Sequence, residues 1–232
     1  MYKGKSFLAI IPARRGSKGL ENKNIKLLNQ KPLMAYTIET AIESEIFEDI
    51  IVSTDSQEYA NIALQYGASV PFLRSSELAQ DASTSIDVMV DVIEKMKQMN
   101  KKYDYVVLLQ PTSPLRNVSD IIECVKKIIE VDADSVISMC ECEHPIEWST
   151  KFEDNKMCLY EFGKGLSKRR QENKQSYRLN GAVYVLKMNY FLENKNMYGK
   201  NSFAYIMPKE RSIDIDDIYD FMCAEALLNS FK

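Results

Sequence analysis

The chain has 232 residues, 45% hydrophobic and 27% charged, enough for one large α/β domain or for one domain plus a lobe. Its 33 acidic residues exceed its 30 Lys and Arg, for a net charge of −3, which argues against a general nucleic-acid binder. It has no run of 18 apolar residues, so no membrane span is expected. The first apolar segment is too short to be a signal peptide and is soon followed by Pro12 and Arg14-Arg15. Five cysteines (Cys124, Cys140, Cys142, Cys158 and Cys223) read as reduced thiols of a cytoplasmic protein, because no second pair or histidine cluster joins Cys140 and Cys142 in a zinc site. His144 is the sole histidine, which disfavours a Ser-His-Asp triad and two-histidine metal chemistry. Charge stabilisation by Lys, Arg and a carboxylate-bound cation remains.

In chain order, residues 7–11 read as a first strand buried on both faces. Pro12 ends it, and a loop follows with Gly16, Ser17 and Gly19. The loop carries Arg14, Arg15, Lys18, Lys23 and Lys26 against Glu21. Glycines let backbone N–H groups approach a ligand, and the cations supply countercharge, so the loop reads as a polyphosphate cradle or, more plainly, as a solvated basic loop. It is neither a Walker A loop nor the dinucleotide fingerprint. A helix opens at Pro32-Leu33 and runs to Ser44, with Met34, Ile38, Ala41 and Ile42 on one face. Residues 49–54 form a buried strand, 57–66 a helix ended by Gly67, and 70–73 a short strand before Arg74. A long helix spans 83–100 with Ser83, Thr84 and Ser85 as candidate caps. Strand 103–109, helix 118–130 and strand 135–139 follow.

This alternation predicts a mostly parallel, doubly wound (Rossmann-like) α/β sheet. The pattern breaks over residues 142–178, which are polar and read as an inserted lobe between a main domain of 1–141 and 179–232. Strands at 179–186 and 203–207 and a helix at 217–231 complete the chain.

Four further stretches could carry chemistry. Residues 110–116, QPTSPLR, leave the end of the central strand, where two prolines fix the loop and Gln110 can donate and accept; a rigid βα turn is the plainer reading. Arg74, Ser83 and Ser85 flank a helix start that suits an anion, although such serines are more often simple caps. In SIDIDD, alternation puts Asp214 and Asp216 on one side of an extended chain, which suits a hard cation; an acidic helix start explains Asp216 and Asp217 but not Asp214. Lys164, Lys168, Arg169, Arg170, Lys174 and Arg178 are opposed by Glu172 alone, a run that is most simply a solvated face.

The string PARRGSKGLENKN resembles the signature of the acylneuraminate cytidylyltransferases, carried by Ala13, Arg14, Gly16, Ser17, Lys18, Gly19, Lys23 and Asn24. LLQPTSPLR, FLRSSELAQDAST, the Arg169-Arg170-Gln171 element, the Arg178-x-Asn180-Gly181 strand entry and the Asp214-x-Asp216 pair resemble its other blocks, in the same order. The resemblance implies a nucleotide-sugar transferase fold with a dimerisation lobe. It implies a reaction of CTP with a 2-keto-3-deoxy nonulosonic acid, giving the CMP-sugar and pyrophosphate. It assigns Lys23, Asp214 and Arg170 to catalysis, and Ala13, Arg14, Gly16, Ser17, Lys18, Asn24, Arg74, Ser83 and Ser85 to the nucleotide. Gln110, Arg169, Arg178 and Asn180 would contact the sugar acid, with Arg178 and Asn180 facing their own pocket, and Asp214 and Asp216 would bind Mg²⁺ or Mn²⁺. Arginines near position 170 would reach across a homodimer; no nucleic-acid or membrane partner is implied. Glu147 and Trp148 follow His144-Pro145 where some sialate-specific members have a basic residue, so legionaminic or pseudaminic acid stays open as the sugar. A binding protein that kept the fold and lost the activity is the reading from another class.

Overall fold

The structure, a computed structural model, describes residues 2–16, 19–80, 82–149, 151–153, 156–158 and 174–230. Its elements in chain order are β1 (Phe7–Pro12), β2 (Leu27–Leu28), β3 (Lys31–Pro32), α1 (Leu33–Glu43), β4 (Asp49–Ser53), α2 (Gln57–Gln65), α3 (Ser85–Gln98), β5 (Tyr105–Leu108), α4 (Val118–Glu130), β6 (Ser135–Glu141), β7 (Lys151–Glu153), β8 (Lys156–Cys158), β9 (Tyr177–Lys187), α5 (Met188–Asn194), β10 (Ser202–Ile206) and α6 (Ile218–Ser230). Six strands form the central sheet in the order β10-β6-β9-β5-β1-β4. β1 runs parallel to β4 and β5, and β10 parallel to β6, whereas β9 is antiparallel to both of its neighbours.

The run FLAIIP needs cover on both faces, and the strand period of two decides which helix supplies it. Phe7, Ala9 and Ile11 pack with Met34 and Ile38 of α1, Tyr59 of α2 and Ile121 and Val125 of α4. Leu8 and Ile10 pack on the opposite face with Met89 and Val92 of α3 and Phe191 of α5. A smaller cluster of Leu28, Leu33, Ile215, Phe221 and Ala224 seats α6. Among the described residues, no helix is long and apolar enough to cross a membrane.

Two capping boxes set the starts of α3 and α4. Thr84 accepts from the Asp87 N–H while Asp87 accepts from the Thr84 N–H; Asn117 and Asp120 make the same exchange at α4. Thr84, rather than either flanking serine, is therefore the cap of α3. Residues 70–73 are not a strand. Ser69 makes one bridge to Ile51, and Pro71 then has no N–H with which to continue. Ile42 is 41% exposed, because the buried stripe of α1 runs through Met34, Ile38 and Ala41 and residue 42 lies one step round the helix.

A buried charge network lies behind the carboxyl edge of the sheet. Asp120, fully buried, accepts from Arg211 Nη2 at 2.8 Å and Nε at 3.1 Å and from the Tyr205 hydroxyl at 3.2 Å. Arg116 is buried beside it and donates to the carbonyls of Ala182 at 2.7 Å and Gln110 at 2.6 Å and to Thr37 Oγ1 at 3.1 Å. Removing this carboxylate takes the ion-pair partner from Arg211 and weakens the countercharge near the buried Arg116. Asp120→Asn is expected to lower stability in urea unfolding by about 3 kcal/mol, the low end for a broken buried pair because Arg211 is partly solvated. A change below about 1 kcal/mol would show that the network carries no such role.

Candidate active site

Three loops meet above the carboxyl ends of β1, β5 and β10: residues 13–26, 110–116 and 207–217. With the chain leading into α3 they enclose a cavity of about 560 Å³. Arg14, Lys23, Asn24, Arg74, Ser83, Ser85, Gln110, Asp214 and Asp216, all expected site residues, line it together with Gly19, Thr84, Val88 and Thr112.

The first loop is held from inside. Ala13 is buried and its N–H continues the pairing of β1 by donating to the Ser53 carbonyl at 2.9 Å. Gly16 has φ +82, and Asn22, at φ +50, turns the chain into the 3₁₀ turn Lys23–Ile25. Asn24 Nδ2 donates to the Arg14 carbonyl at 3.0 Å, and Arg14 Nη1 donates to Ala79 at 3.1 Å, which ties the loop to the segment before α3. Lys23 is 8% exposed; its Nζ donates to the Ile215 carbonyl and lies 3.2 Å from Asp216 Oδ1. A Cβ on Gly19 would stand 2.2 Å from the Asp216 carbonyl oxygen, so the close approach of the two segments requires glycine there.

Arg74 is 6% exposed and spans the end of β4, donating from Nε to Ser53 Oγ at 3.1 Å and from Nη2 to the Ser53 carbonyl at 2.6 Å. Burial pushes its pKa down to about 10, against the pull of Asp55 and with the push of Arg14. Ser83 Oγ donates to the Glu77 carbonyl at 3.0 Å, and Ser85 opens α3.

Asp214 is the unusual group. Burial raises its pKa and Asp216 adds to the rise, while the Thr112 hydroxyl, Lys23 and Arg178 oppose it. Its Oδ1 is buried with no hydrogen-bond partner, and a buried polar atom of this kind needs a reason. The Ile215 N–H donates to the Thr112 carbonyl at 2.8 Å, so the aspartate segment is clasped by the first loop on one side and the 110–116 loop on the other. Gly181 of β9, at φ +72, faces the same place: a Cβ there would lie 2.5 Å from Gln110 Oε1 and 3.0 Å from Asp214 Oδ2.

Of the expected sugar contacts on β9, one is turned away from the cavity and the other stands at its edge. Asn180 does not face the pocket; it is fully buried, because Gly181 takes the cavity side of β9 and its neighbour points inward to Ser138 and Ser212. Arg178 is exposed at the rim, where it donates to the Leu179 carbonyl at 3.3 Å and the Ser212 carbonyl at 3.5 Å. Ser17, Lys18, Arg169 and Arg170 lie outside the described residues. Val88, Thr112 and Gly181 are lining or bordering residues without an expected site role, whereas Gly19 was expected in the phosphate-approaching loop and Thr84 as a candidate cap.

An open, mostly parallel α/β sheet with cations and paired carboxylates in one cavity at its carboxyl edge describes a nucleotidyltransferase. A family model described as cytidylyltransferase matches residues 8–230, and the chain belongs to that family. It is similar to the N-acylneuraminate cytidylyltransferase of Escherichia coli O18:K1:H7, 41% identical over 218 residues, which are 94% of this chain and 51% of that protein. It is similar to the CMP-N,N'-diacetyllegionaminic acid synthase of Legionella pneumophila, 40% identical over 95% of each chain. The pseudaminic acid cytidylyltransferase of Campylobacter jejuni is 33% identical, again over 95% of each. The chain thus spans about half the length of the first of these and nearly all of the other two. In fold it matches a CMP:2-keto-3-deoxy-manno-octonic acid synthetase complexed with CTP, at a TM-score of 0.71 and 14% identity, covering 98% of this chain and 100% of that one.

Gly181→Ala tests the geometry of the cavity. The added methyl must displace Gln110 or Asp214 from a backbone that already disfavours a side chain. Cytidylyltransferase turnover is expected to fall about 100-fold while far-UV circular dichroism stays unchanged. Turnover within about twofold of the parent would show that the two side chains need not stand where they do.

Proposed function

We propose that this chain activates a 2-keto-3-deoxy nonulosonic acid of the sialic type with CTP, releasing pyrophosphate and giving the CMP-sugar. The observation that carries the proposal is the convergence of Arg14, Lys23, Gln110, Asp214 and Asp216 on one cavity from three loops far apart in sequence. The names of the relatives support the substrate class, with N-acylneuraminic, legionaminic and pseudaminic acids as its members.

In this reading Arg14 and Lys23 receive the triphosphate, and the backbone around Gly16 and Gly19 leaves room for it. Lys18 would join them. Arg74, Ser83 and Ser85 bound the nucleotide end of the cavity. Gln110 orients the sugar acid, with Arg178 at the rim and Arg169 and Arg170 supplied by the 142–178 lobe. That lobe would also be the contact of a homodimer, and the protein would work in the cytoplasm. The anomeric oxygen attacks the α-phosphorus, the bond from that phosphorus to the bridging oxygen breaks, and pyrophosphate leaves with the electron pair. Asp214 takes the hydroxyl proton. Most of the rate comes from positioning and fixed charge, as is general for phosphoryl-type transfer.

The residues fit a divalent cation. Asp214 offers a buried oxygen with no partner, and Asp216 offers a largely exposed carboxylate on the same cavity. Among the described residues no group of three or more His, Cys, Asp or Glu gathers, which suits an ion that takes its other ligands from phosphate and water. Bound there, Mg²⁺ or Mn²⁺ would neutralise phosphate charge. The Lys23 ammonium beside Asp216 supplies part of that countercharge from the protein itself.

Incubation of the purified chain with CTP, Mg²⁺ and a panel of nonulosonic acids is expected to give a CMP-sugar, detected by mass, with at least one of them. Asp214→Asn is expected to lower kcat by about 10²–10³-fold with CTP binding retained. A parent enzyme that binds CTP yet releases no pyrophosphate with any panel member would make it a nucleotide-binding module instead, and full turnover by the variant would remove Asp214 from the chemistry.

A further inference from the structure

The buried amide of Asn180 is satisfied on every side. Its Oδ1 accepts from Ser138 Oγ at 2.7 Å and from the Ala182 N–H at 3.3 Å. Its Nδ2 donates to Ser212 Oγ at 3.0 Å and to Met207 Sδ at 3.2 Å. Its carbonyl accepts from Ser113 Oγ at 3.0 Å. Ser113, Ser138 and Ser212 are themselves fully buried, so water does not compete for these bonds.

The partners belong to the parts of the site. Ser113 lies in the loop that begins with Gln110. Ser212 stands two residues before Asp214 and donates onward to the Pro208 carbonyl at 2.7 Å. A Cβ on Gly181, next along β9, would meet both Gln110 and Asp214. Residues 212–216 form neither helix nor strand, so no ladder of backbone bonds holds them. Cross-links hold them instead: Ser212 to Asn180, Pro208, Lys209 and Arg178, the Ile215 N–H to Thr112, the Ile215 carbonyl to Lys23 and the Asp216 N–H to Asp220.

We propose that Asn180 is a positioning residue of the transfer reaction and not a ligand of the sugar acid: its side-chain amide fixes the segment carrying Asp214 against the strand and loop that present Gly181 and Gln110. The chemistry of the residue suits this. One planar group donates to Ser212 while accepting from Ser138, and neither a carboxylate nor an aliphatic chain of that volume does both. The inference rests on the proposed function for the meaning of "positioning", but the linkage itself can be read without turnover.

The test compares Asn180→Ala, Ser212→Ala and the double variant with the parent, each first checked for folding by thermal melt. Hydrogen exchange at the Ile215 amide is expected to speed up about tenfold in each single variant, as for a lost hydrogen bond, and hardly further in the double. With CTP and the best sugar acid, kcat is expected to fall roughly 10–100-fold in both single variants, while KM for the sugar stays within about twofold. A sugar-contact role gives the opposite pattern: Asn180→Ala raises the sugar KM, Ser212→Ala is silent, and Ile215 exchange does not change. That pattern overturns the proposal. Ser212→Ala removes one oxygen and does not touch the cavity, so it carries the test if Asn180→Ala does not fold. A parent chain with no turnover on any sugar acid would defeat the functional reading, whereas unaltered exchange in Ser212→Ala would defeat the positioning role alone.

Discussion

One residue holds the site together. Ile215 donates its N–H to Thr112, gives its carbonyl to Lys23 and buries its side chain with Leu28, Leu33, Phe221 and Ala224. With the residue fixed at all three points, the alternation of an extended chain sends the flanking Asp214 and Asp216 to the other side, into the cavity. Lys23 therefore does two things at once: it closes the first loop onto the far end of the chain, and it leaves an ammonium where phosphate charge would arrive. The approach is so close that Gly19 admits no side chain beside the Asp216 carbonyl.

Burying polar groups to build such a junction has a cost, and the structure shows how it is met. Asn180, Ser113, Ser138 and Ser212 satisfy one another, and Asp120 is matched by Arg211 and lies beside Arg116. Asp214 is the exception, with one buried oxygen unpartnered and its pKa raised chiefly by burial. Among the described residues that oxygen alone is buried without a partner, which leaves it available to the cation proposed above.

Much of this could be read before the fold was known, and the parts that could not share a cause. Buried runs announce themselves locally: β1, β5 and α4 stand where apolar pattern puts them, and the Asn117–Asp120 box that starts α4 is a structural finding. Arg14 and Lys23 of the first loop and the two aspartates likewise line the cavity, since glycine, charge and alternation are properties of a few adjacent residues. Which face a side chain takes inside a strand is not local. Asn180 and Gly181 are neighbours, and only the register of β9, with its irregularity opposite Ile137 and Met139, decides which one meets the cavity. The extended reading of residues 70–73 failed because Pro71 cannot continue a ladder, a rule that was available and outweighed by their apolar character. α5 has seven residues, too few to display a helical period.

The direction of β9 was the least legible feature and the one with the largest consequence. Strands joined by helices must be parallel, so the alternation up to β6 fixes their sense; β9 follows a long polar insertion and no such rule binds it. Being antiparallel, it enters the sheet at the edge where β1 and β5 end. The cavity therefore draws on the carboxyl ends of β1 and β5 and on the amino end of β9. A parallel β9 would carry Arg178 and Gly181 to the opposite edge of the sheet, the length of the strand away from Gln110. Reversal of this one strand is what lets Gly181 and Arg178, near its amino end, border the cavity.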